Sequence, residues 1–380
     1  MTLVRTTPYY PHHVALGAKM MEKGGWIRPA VYTSVEEEVR NTRTNVGIID
    51  VHSMGKFEVI GREAYLLMQY AMTNDLRRIG KGRQGIYTCL CKDDGGIVDD
   101  VIVYYLDNEL FYLITNTLSR EKVGRWLADM RDRLAVDAHV IDVTSSTAYL
   151  AVQGPKSADV VAELLGDGIR ALSYFEMAEF RLSDSPVLLT RTGYTGELGY
   201  ELHFPSEYAF WMWECVTEAG RGYGMRPVGG FAIQTLRAEK AYRAYGTDMD
   251  ANTNPFEAGL GWTVRLDKGD FAGKSALADI QHRGVTRRLT GFRLDLAAGS
   301  LPEKGTALRC EGRTAGYLTT VCASPTLGCV IAMGYVGAEF FRTERFEIGD
   351  ANGGFAFVTE MPFYDPKGER VRMRCARVER

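Results

Sequence analysis

The amino-acid sequence predicts an α+β fold that is divided into more than one domain. Its 380 residues exceed the length at which a single hydrophobic core usually stops growing. Strand-like, hairpin-like and helix-like segments mix over residues 1–281 without the strict βαβ rhythm of a doubly wound sheet. Short β-like runs broken by glycine and proline follow. We therefore expect a large region at 1–281, a linker at 282–286 and a small β-rich domain at 287–380.

Hydrophobic spacing assigns the elements of the large region in order. Alternating apolar residues favour strands, whereas apolar residues three and four apart favour helices. Strands are expected at 56–60, 85–91, 101–106, 110–115, 147–152, 187–192 and 200–204. Helices are expected at 63–74, 119–134, 157–165, 209–223 and 226–240. Asp107 and Asn108 are turn residues between two of these strands, so they predict a hairpin.

Composition favours a small-molecule partner. A formal charge of −3 and a pI near 6.1 provide no long-range attraction for nucleic acid or an anionic membrane. No apolar stretch reaches the roughly 20 residues of a membrane span, and residues 1–13 do not resemble a signal peptide. We therefore expect a cytoplasmic protein. The seven cysteines lack paired C-x-x-C units, which predicts reduced packing residues and no metal site.

The segment from Gly95 to Asp100 places two carboxylates where a glycine turn gives way to an apolar strand. A carboxylate there is costly unless it is solvated or partnered. Because neighbouring strand residues face opposite sides, Asp99 and Asp100 are not expected to act as a pair; one would cap the turn while the other enters a pocket. From spacing alone, solvent-exposed turn residues are a better interpretation of these two aspartates than catalytic residues.

Residues 192–201 (TGYTGELGYE) combine glycine, tyrosine and glutamate. Glycine lets the backbone approach a flat ligand, tyrosine offers a ring and a hydroxyl, and glutamate can accept two hydrogen bonds from an amino-heterocycle. These abilities suit a pterin, although an ordinary hairpin with tyrosine packing explains the same pattern. The glycine spacing matches neither a phosphate-binding loop nor a dinucleotide fingerprint.

Several segments together resemble the family of the glycine cleavage T-protein, also called aminomethyltransferase, and the folate-binding halves of dimethylglycine and sarcosine oxidising enzymes. They lie, in family order, at 7–26, 47–55 (GIIDVHSMG), 95–105, 151–155 (AVQGP), 191–201, 254–262 (NPFEAGLGW), 268–274 and 324–328 (SPTLG). Together they cover nearly the whole chain. The resemblance implies interwoven folate-binding subdomains around a central cavity, followed by a C-terminal β-barrel-like domain.

The resemblance also implies which residues form the site. Asp100 becomes the candidate catalytic carboxylate, which would manage a proton near N5 and N10 of tetrahydrofolate, a role worth a factor of about 10² to 10⁴. Glu201 would orient the pterin by hydrogen bonding. The remaining cofactor-binding residues that it implies are Tyr87, Asn116, Tyr174, Tyr194 and Met54. Tyr364 and the position of Ile233 would contact the substrate.

Departures from the family pattern concern the donor of the one-carbon unit. The usual Ser-His-Met order reads His52-Ser53-Met54 here. Ile233 stands where an arginine is expected to bind an anionic group, and isoleucine cannot make a bidentate anion contact. Asp365 follows Tyr364 where a basic residue is common. Residues 235–242 are similar to a segment of the oxidising demethylases, so folate binding is better supported than lipoyl-protein chemistry.

The resemblance predicts a tetrahydrofolate-dependent one-carbon transferase that moves a methylene or methyl group from a small donor. Its partners would be that donor together with a lipoylated carrier protein, or a separate flavoprotein if the reaction is oxidative. One alternative is an N-, O- or S-demethylase that forms 5-methyltetrahydrofolate. Another is a folate-binding protein without catalysis, but the K-G-C-Y-x-G-Q-E signature of such relatives is absent.

Overall fold

The computed structural model describes residues 4–80, 84–297, 301–349 and 353–375. Its helices are α1 (Tyr10–Ala15), α2 (Val35–Thr44), α3 (Ala64–Ala71), α4 (Arg120–Leu134), α5 (Ser157–Leu165), α6 (Ala209–Gly220), α7 (Gly230–Glu239) and α8 (Lys274–Arg283). Its strands in the large region are β1 (Arg5–Thr6), β2 (Lys19–Lys23), β3 (Trp26–Val31), β4 (Val46–Asp50), β5 (Gly55–Ile60), β6 (Gln84–Cys91), β7 (Ile97–Asp107), β8 (Leu110–Thr115), β9 (His139–Asp142), β10 (Thr147–Gln153), β11 (Met177–Leu182), β12 (Ser185–Thr190), β13 (Gly199–Pro205) and β14 (Met225–Pro227). The last strands are β15 (Arg287–Leu296), β16 (Ala307–Cys310), β17 (Arg313–Ser324), β18 (Cys329–Gly337), β19 (Arg345–Ile348) and β20 (Gly354–Thr359).

Three open sheets and one barrel organise these strands. A five-stranded sheet has the order β6-β7-β8-β5-β9, and a six-stranded sheet has the order β11-β12-β13-β10-β4-β14. A three-stranded sheet, β1-β3-β2, holds the N-terminal segment. Strands β15 to β20 close into a barrel. Mixed helices and sheets with a C-terminal barrel confirm the predicted fold class.

The five-stranded and six-stranded sheets each have a core of their own. Helix α4 packs Val123, Leu127 and Met130 against the five-stranded sheet. Their spacings of four and three residues place them on one face of the helix. Helices α5 and α6 cover the six-stranded sheet in the same way. Where the two sheets meet, a third group of side chains packs together. This inter-sheet cluster consists of Tyr104, Tyr112, Ile114, Tyr149 and Met177.

Helix α7 connects the sheets to the barrel. Arg237 on this helix donates to the buried carboxylate of Asp248 at 2.5 Å. Thr319 and Thr320 on β17 donate to the other oxygen of Asp248 at 2.7 and 2.6 Å. Ion pairs and hydroxyls buried in this way fix geometry, because each charge has left water and needs its partner. The barrel is therefore held to the large region by specific polar contacts.

Several elements differ from their predicted bounds, and three of the differences have a local reason or extend an element. Helix α3 ends at Ala71 rather than continuing to residue 74, because Met72 becomes extended and pairs with Leu90 of β6. Strand β7 begins at Ile97 rather than at 101. Helix α7 begins at Gly230 rather than at 226, because residues 225–227 form the short strand β14.

Two other expectations concern the cysteines and membrane-spanning helices. All seven cysteines are free, and Cys89 and Cys91 are buried, which agrees with their predicted packing role. Within the described ranges, none of the helices combines the length and the apolar character that a bilayer crossing needs.

Candidate active site

Asp100 lies on β7 with its carboxylate held from two sides. Its cross-strand neighbour on β6 is Cys89, so Tyr87 occupies the diagonal position on the same face. The Tyr87 hydroxyl donates to Oδ2 of Asp100 at 2.8 Å. Asn116, directly after β8, donates from Nδ2 to Oδ1 of Asp100 at 2.8 Å. Three residues predicted for the site are thus brought together by strand pairing.

Asp99 is part of the same arrangement, which corrects the expectation that the two aspartates act separately. Asn116 also donates from Nδ2 to Oδ1 of Asp99 at 2.9 Å and from its backbone N–H to Oδ2 at 3.0 Å. The turn is instead capped by Asp94, which accepts from the Gly96 N–H at 2.8 Å. Burial raises the pKa of both Asp99 and Asp100, and repulsion from Asp100 raises the pKa of Asp99 further. A proton is therefore easily kept within this pair.

Tyr87→Phe is expected to move the acid limb of the kcat–pH profile to higher pH. The Tyr87 hydroxyl favours the charged form of Asp100, so its removal raises the pKa of Asp100 still further above the ordinary value. A step that needs ionised Asp100 is lost as pH falls through that pKa, so the deficit is largest at acid pH and shrinks as pH rises. Profiles of kcat between pH 5 and 9 test this. Tyr105→Phe, also in this sheet but bonded to Asn108, is the control; an equal shift in both variants contradicts the assignment.

Trp262 extends the site beyond the residues that the sequence predicted. Its ring stacks on Tyr87 with centroids 5.6 Å apart and an interplanar angle of 21°. It is 57% exposed, which is unusual for so large an apolar side chain. The motif at 254–262 contains it, but nothing in the sequence indicated that its ring would face Tyr87.

Tyr174 and Tyr194 are linked through Tyr242. The rings of Tyr194 and Tyr242 stack with centroids 5.8 Å apart, and the hydroxyls of Tyr174 and Tyr242 lie 3.5 Å apart. The Tyr194 hydroxyl donates to the carbonyl oxygen of Arg243 at 2.6 Å. Burial raises the pKa of Tyr194, and the charge of Asp100 contributes to that rise.

Glu201 and Met54 lie next to the inter-sheet cluster. Thr192 and Thr190 donate to Oε2 of Glu201, the latter at 3.4 Å, and burial raises the pKa of this carboxyl. Within the described residues Glu201 has no cationic partner. Thr192 also contacts the Tyr104 hydroxyl at 3.2 Å, and Met54 packs against the cluster from one side. Glu201 is thus a buried acceptor supported by hydroxyl groups.

Two of the glycines in residues 192–201 leave room for a neighbouring side chain of the protein. A Cβ at Gly193 would lie 1.9 Å from the side chain of Gln153, and one at Gly199 would lie 2.2 Å from it. Gln153 uses that space to donate to the Thr192 carbonyl oxygen at 3.0 Å and to accept from Thr195 at 2.9 Å. These two glycines therefore make room for a protein side chain rather than for a ligand.

Tyr364 and Ile233, the two residues predicted to contact the substrate, have neighbours other than the aspartates. Tyr364 donates to Glu197 at 2.7 Å, and the Arg43 guanidinium lies 4.1 Å from its ring centroid. Ile233 packs with the apolar side chains between α2 and α7. In the part of the chain that the structure describes, neither residue contacts Asp100. The sequence grouped all of these residues in one site, but the structure brings together only some of them by direct contact.

The hydrogen-bond acceptors of the site suit a neutral ring that carries several N–H groups. Asp100 is a half-buried carboxylate and Glu201 a buried one, and their direct partners within the described residues are hydroxyls and an amide. Because neither has a salt bridge there, each keeps capacity to accept further hydrogen bonds. The tyrosines Tyr87, Tyr194 and Tyr242 add ring surface. An amino-heterocycle such as a pterin matches these groups better than an anion does.

Comparisons with known proteins agree with this chemistry. The GCVT N-terminal domain matches residues 9–268, and the glycine cleavage T-protein C-terminal barrel domain matches residues 287–365. The aminomethyltransferase of Halothermothrix orenii is 40% identical over 333 residues, which cover 88% of this chain and 92% of that protein. The aminomethyltransferase of Thermotoga maritima is 36% identical over 363 residues, covering 95% and 98%.

A solved structure shows the same fold. The crystal structure of the glycine cleavage system aminomethyltransferase T from Bartonella henselae matches with a TM-score of 0.88 and 27% identity. The match covers 96% of this chain and 99% of that one. Both domain models, relatives above 30% identity and this structure agree over nearly the full length, and this chain belongs to the glycine cleavage T-protein family.

Proposed function

We propose that this protein transfers a one-carbon unit to tetrahydrofolate in the manner of an aminomethyltransferase. The observation that carries the proposal is Asp100, a half-buried carboxylate with a raised pKa that Tyr87 and Asn116 hold in one orientation. A carboxyl whose pKa is raised above the ordinary value is better suited to accept and return a proton. Membership in a family of folate-dependent enzymes supports tetrahydrofolate as the cofactor.

The residues divide into groups with separate tasks. Tetrahydrofolate supplies the two nitrogens, N5 and N10, that receive the one-carbon unit. Asp100 manages the proton there, and Asn116 keeps both aspartates oriented toward it. Glu201 accepts hydrogen bonds from the amino-pyrimidine edge. Tyr194, with Tyr174 behind it, covers the ring system and excludes water, as the stacked row of tyrosines suggests.

Glu201→Gln is expected to weaken tetrahydrofolate binding by a factor of roughly 10 to 100, since a hydrogen bond to a charged group contributes about 1.5–3 kcal/mol. The amide keeps the shape and one acceptor but loses the charge. The dissociation constant, measured by fluorescence quenching in each variant, tests this. Glu58→Gln, a change on a neighbouring sheet at a half-buried position, is the control. Equal dissociation constants in the native protein and Glu201→Gln would remove Glu201 from the cofactor site.

Two assays together test the proposed function. Titration with tetrahydrofolate measures binding. The second assay runs the aminomethyl transfer in reverse. It supplies 5,10-methylenetetrahydrofolate, ammonia and a reduced lipoylated carrier protein, and it follows the conversion of 5,10-methylenetetrahydrofolate to tetrahydrofolate. Binding together with turnover supports the proposal. Binding without turnover indicates a folate-binding protein. A further incubation of tetrahydrofolate with methylated donors separates out a demethylase, which would form 5-methyltetrahydrofolate.

For the partner, we propose a lipoylated carrier protein; the similar solved structure from Bartonella henselae is that of a glycine cleavage system aminomethyltransferase, which supports this choice. The substitution of the expected arginine by Ile233 concerns this side of the reaction. Ile233 packs against apolar neighbours and offers no group to an anion. An anionic donor group would therefore need a cation elsewhere in the site.

A further inference from the structure

Asp99 is a buried carboxylate to which the proposed proton transfer gives no task. It lies next to Asp100 on β7 and is 0% exposed, whereas Asp100 is half-buried. Within the described residues it forms no salt bridge, and its side-chain partners are hydrogen-bond donors. Burying a carboxylate without a cation is costly unless such donors surround it. The position of Asp99 therefore needs a reason, and its donors indicate what that reason is.

Both carboxylate oxygens of Asp99 accept hydrogen bonds from the same residue. The backbone N–H of Asn116 donates to Oδ2 at 3.0 Å, and Nδ2 of Asn116 donates to Oδ1 at 2.9 Å. The same Nδ2 donates to Oδ1 of Asp100 at 2.8 Å and lies 3.2 Å from the Asp100 carbonyl oxygen. An amide nitrogen carries two hydrogens. Asp99 binds one of them, and the other is directed at Asp100.

The end of a strand explains why Asp99 reaches this residue. The register of β7 and β8 pairs Ile102 with Ile114, so its continuation places Asp100 opposite Asn116. Strand β8 ends one residue before Asn116. The N–H of Asn116 is bonded by the Asp99 carboxylate, which here takes the place of a partner strand. Asp99 therefore fixes the backbone of Asn116 as well as its amide.

The orientation of the Asn116 amide depends on the aspartates. In the described part of the chain, the hydrogen bonds that Nδ2 donates all go to Asp99 and Asp100. The Ser119 N–H donates to the Asn116 carbonyl oxygen at 3.0 Å, which restrains the backbone but not the amide. Rotation of the amide by half a turn would direct its oxygen at two carboxylates, and acceptors that face each other repel. The carboxylate of Asp99 thus excludes the flipped amide.

We propose that Asp99 is a positioning residue for the proton-transfer step, and that it fixes the amide of Asn116 so that one N–H group points at Asp100. This inference rests on the proposed function, in which Asp100 manages the proton. Asp99 acts on Asp100 through Asn116 and is not itself the group that meets the substrate. Its removal should therefore affect catalysis only while Asn116 is present to be oriented.

Asp99→Asn keeps the shape of the side chain but offers one acceptor to the two donors of Asn116. The Asn116 amide is then expected to flip to restore the pairing, which turns its oxygen toward Asp100. The kcat of the reverse aminomethyl transfer should fall by a factor of about 10 to 100, while the dissociation constant of tetrahydrofolate stays within about threefold. Asp93→Asn is the control, because Asp93 has a 68% exposed side chain and pairs with Arg133 at the surface. Both constants should stay native in the control.

A double-mutant cycle on kcat separates positioning through Asn116 from an independent effect. Asp99→Asn combined with Asn116→Ala should match the kcat of Asn116→Ala alone within about twofold, because nothing remains for Asp99 to orient. Circular dichroism establishes that each variant is folded. Losses that multiply in the double variant, or native kcat in Asp99→Asn, overturn the inference.

Hydrogen exchange in protein with ¹⁵N-labelled asparagine provides a test that needs neither activity nor a folded Asp99 variant. The Asn116 amide is identified by its absence in Asn116→Ala. In the native protein it should exchange more slowly than the amide of the exposed Asn252, because both of its hydrogens are bonded. Equal exchange rates overturn the inference, whereas a protected amide in a native protein without turnover contradicts the proposed function alone.

Discussion

Asp100→Asn is expected to bind tetrahydrofolate with near-native affinity and to lose turnover by a factor of about 10² to 10⁴. Asparagine preserves the shape and can still accept from the Tyr87 hydroxyl. It cannot take up and release a proton near neutral pH, so binding and chemistry separate. Rapid-quench measurement of single-turnover rates, together with tetrahydrofolate titration, distinguishes a loss of chemistry from a loss of binding.

Asp94→Asn is the matched control for this change. Asp94 lies in the same turn, caps Gly96 and has a side chain that is 65% exposed, so its charge faces water. Turnover in this variant should stay within about twofold, because exposed charges contribute little. Native turnover in Asp100→Asn would refute the assignment of Asp100 as the proton-managing group. A large loss in both variants would point instead to the local structure of the turn.

Arg43→Met is expected to lower the free energy of unfolding by about 3–5 kcal/mol, since it leaves buried carboxylates without their partner. Arg43 pairs with Glu197 at 3.0 Å and with Glu239 at 2.7 Å, and these three side chains are 6%, 0% and 0% exposed. Ser324 and Thr326 on the barrel side donate to Glu239, but hydroxyls cannot neutralise it. Lower pH should reduce the deficit, because Arg43 favours the charged form of Glu197 and a protonated Glu197 needs no counter-charge.

Urea unfolding followed by tryptophan fluorescence measures this loss. Arg40→Met provides the control, because Arg40 lies on the same helix three residues before Arg43. Arg40 pairs with Glu36 at 2.9 Å, but both side chains are more than 60% exposed, at 62% and 63%. Exposed pairs of this type contribute about 0.3–0.5 kcal/mol. Equal midpoints for the two variants would show that the buried cluster contributes no more than a surface pair.

The local parts of the site were predictable because they depend on neighbours along the chain or on one strand pairing. The glycine turn and the alternating residues after it predict β7, and the family pattern then selects Asp100. Asn116 follows β8, so its approach to Asp100 depends only on the pairing of two consecutive strands. The bridge from Asn116 to Asp99 was missed, because alternation on a strand suggests opposite faces and does not show that one amide can reach both.

The remote contacts were not predictable from spacing. Trp262 reaches Tyr87, and Tyr242 reaches Tyr194, only after the chain has passed through several elements. Tyr364 was assigned to the substrate, yet its hydroxyl is bonded to Glu197. Such contacts depend on how sheets, helix α7 and barrel pack together, and hydrophobic periodicity carries no information on that packing. The contact of Gly193 is another example: its lack of a side chain leaves room for Gln153, and spacing does not predict this.

The closed barrel limits how other protein chains can dock on its strands. Each of its six strands is paired on both sides, since β20 returns to pair with β15. Where its strands are paired on both sides, the barrel offers no row of unpaired backbone groups, so over these stretches it does not add an extended peptide as a further strand or join another barrel edge to edge. Recognition of such stretches by another protein would depend on side chains of the outer surface, and their closed pairing protects against the edge-to-edge pairing by which open sheets aggregate.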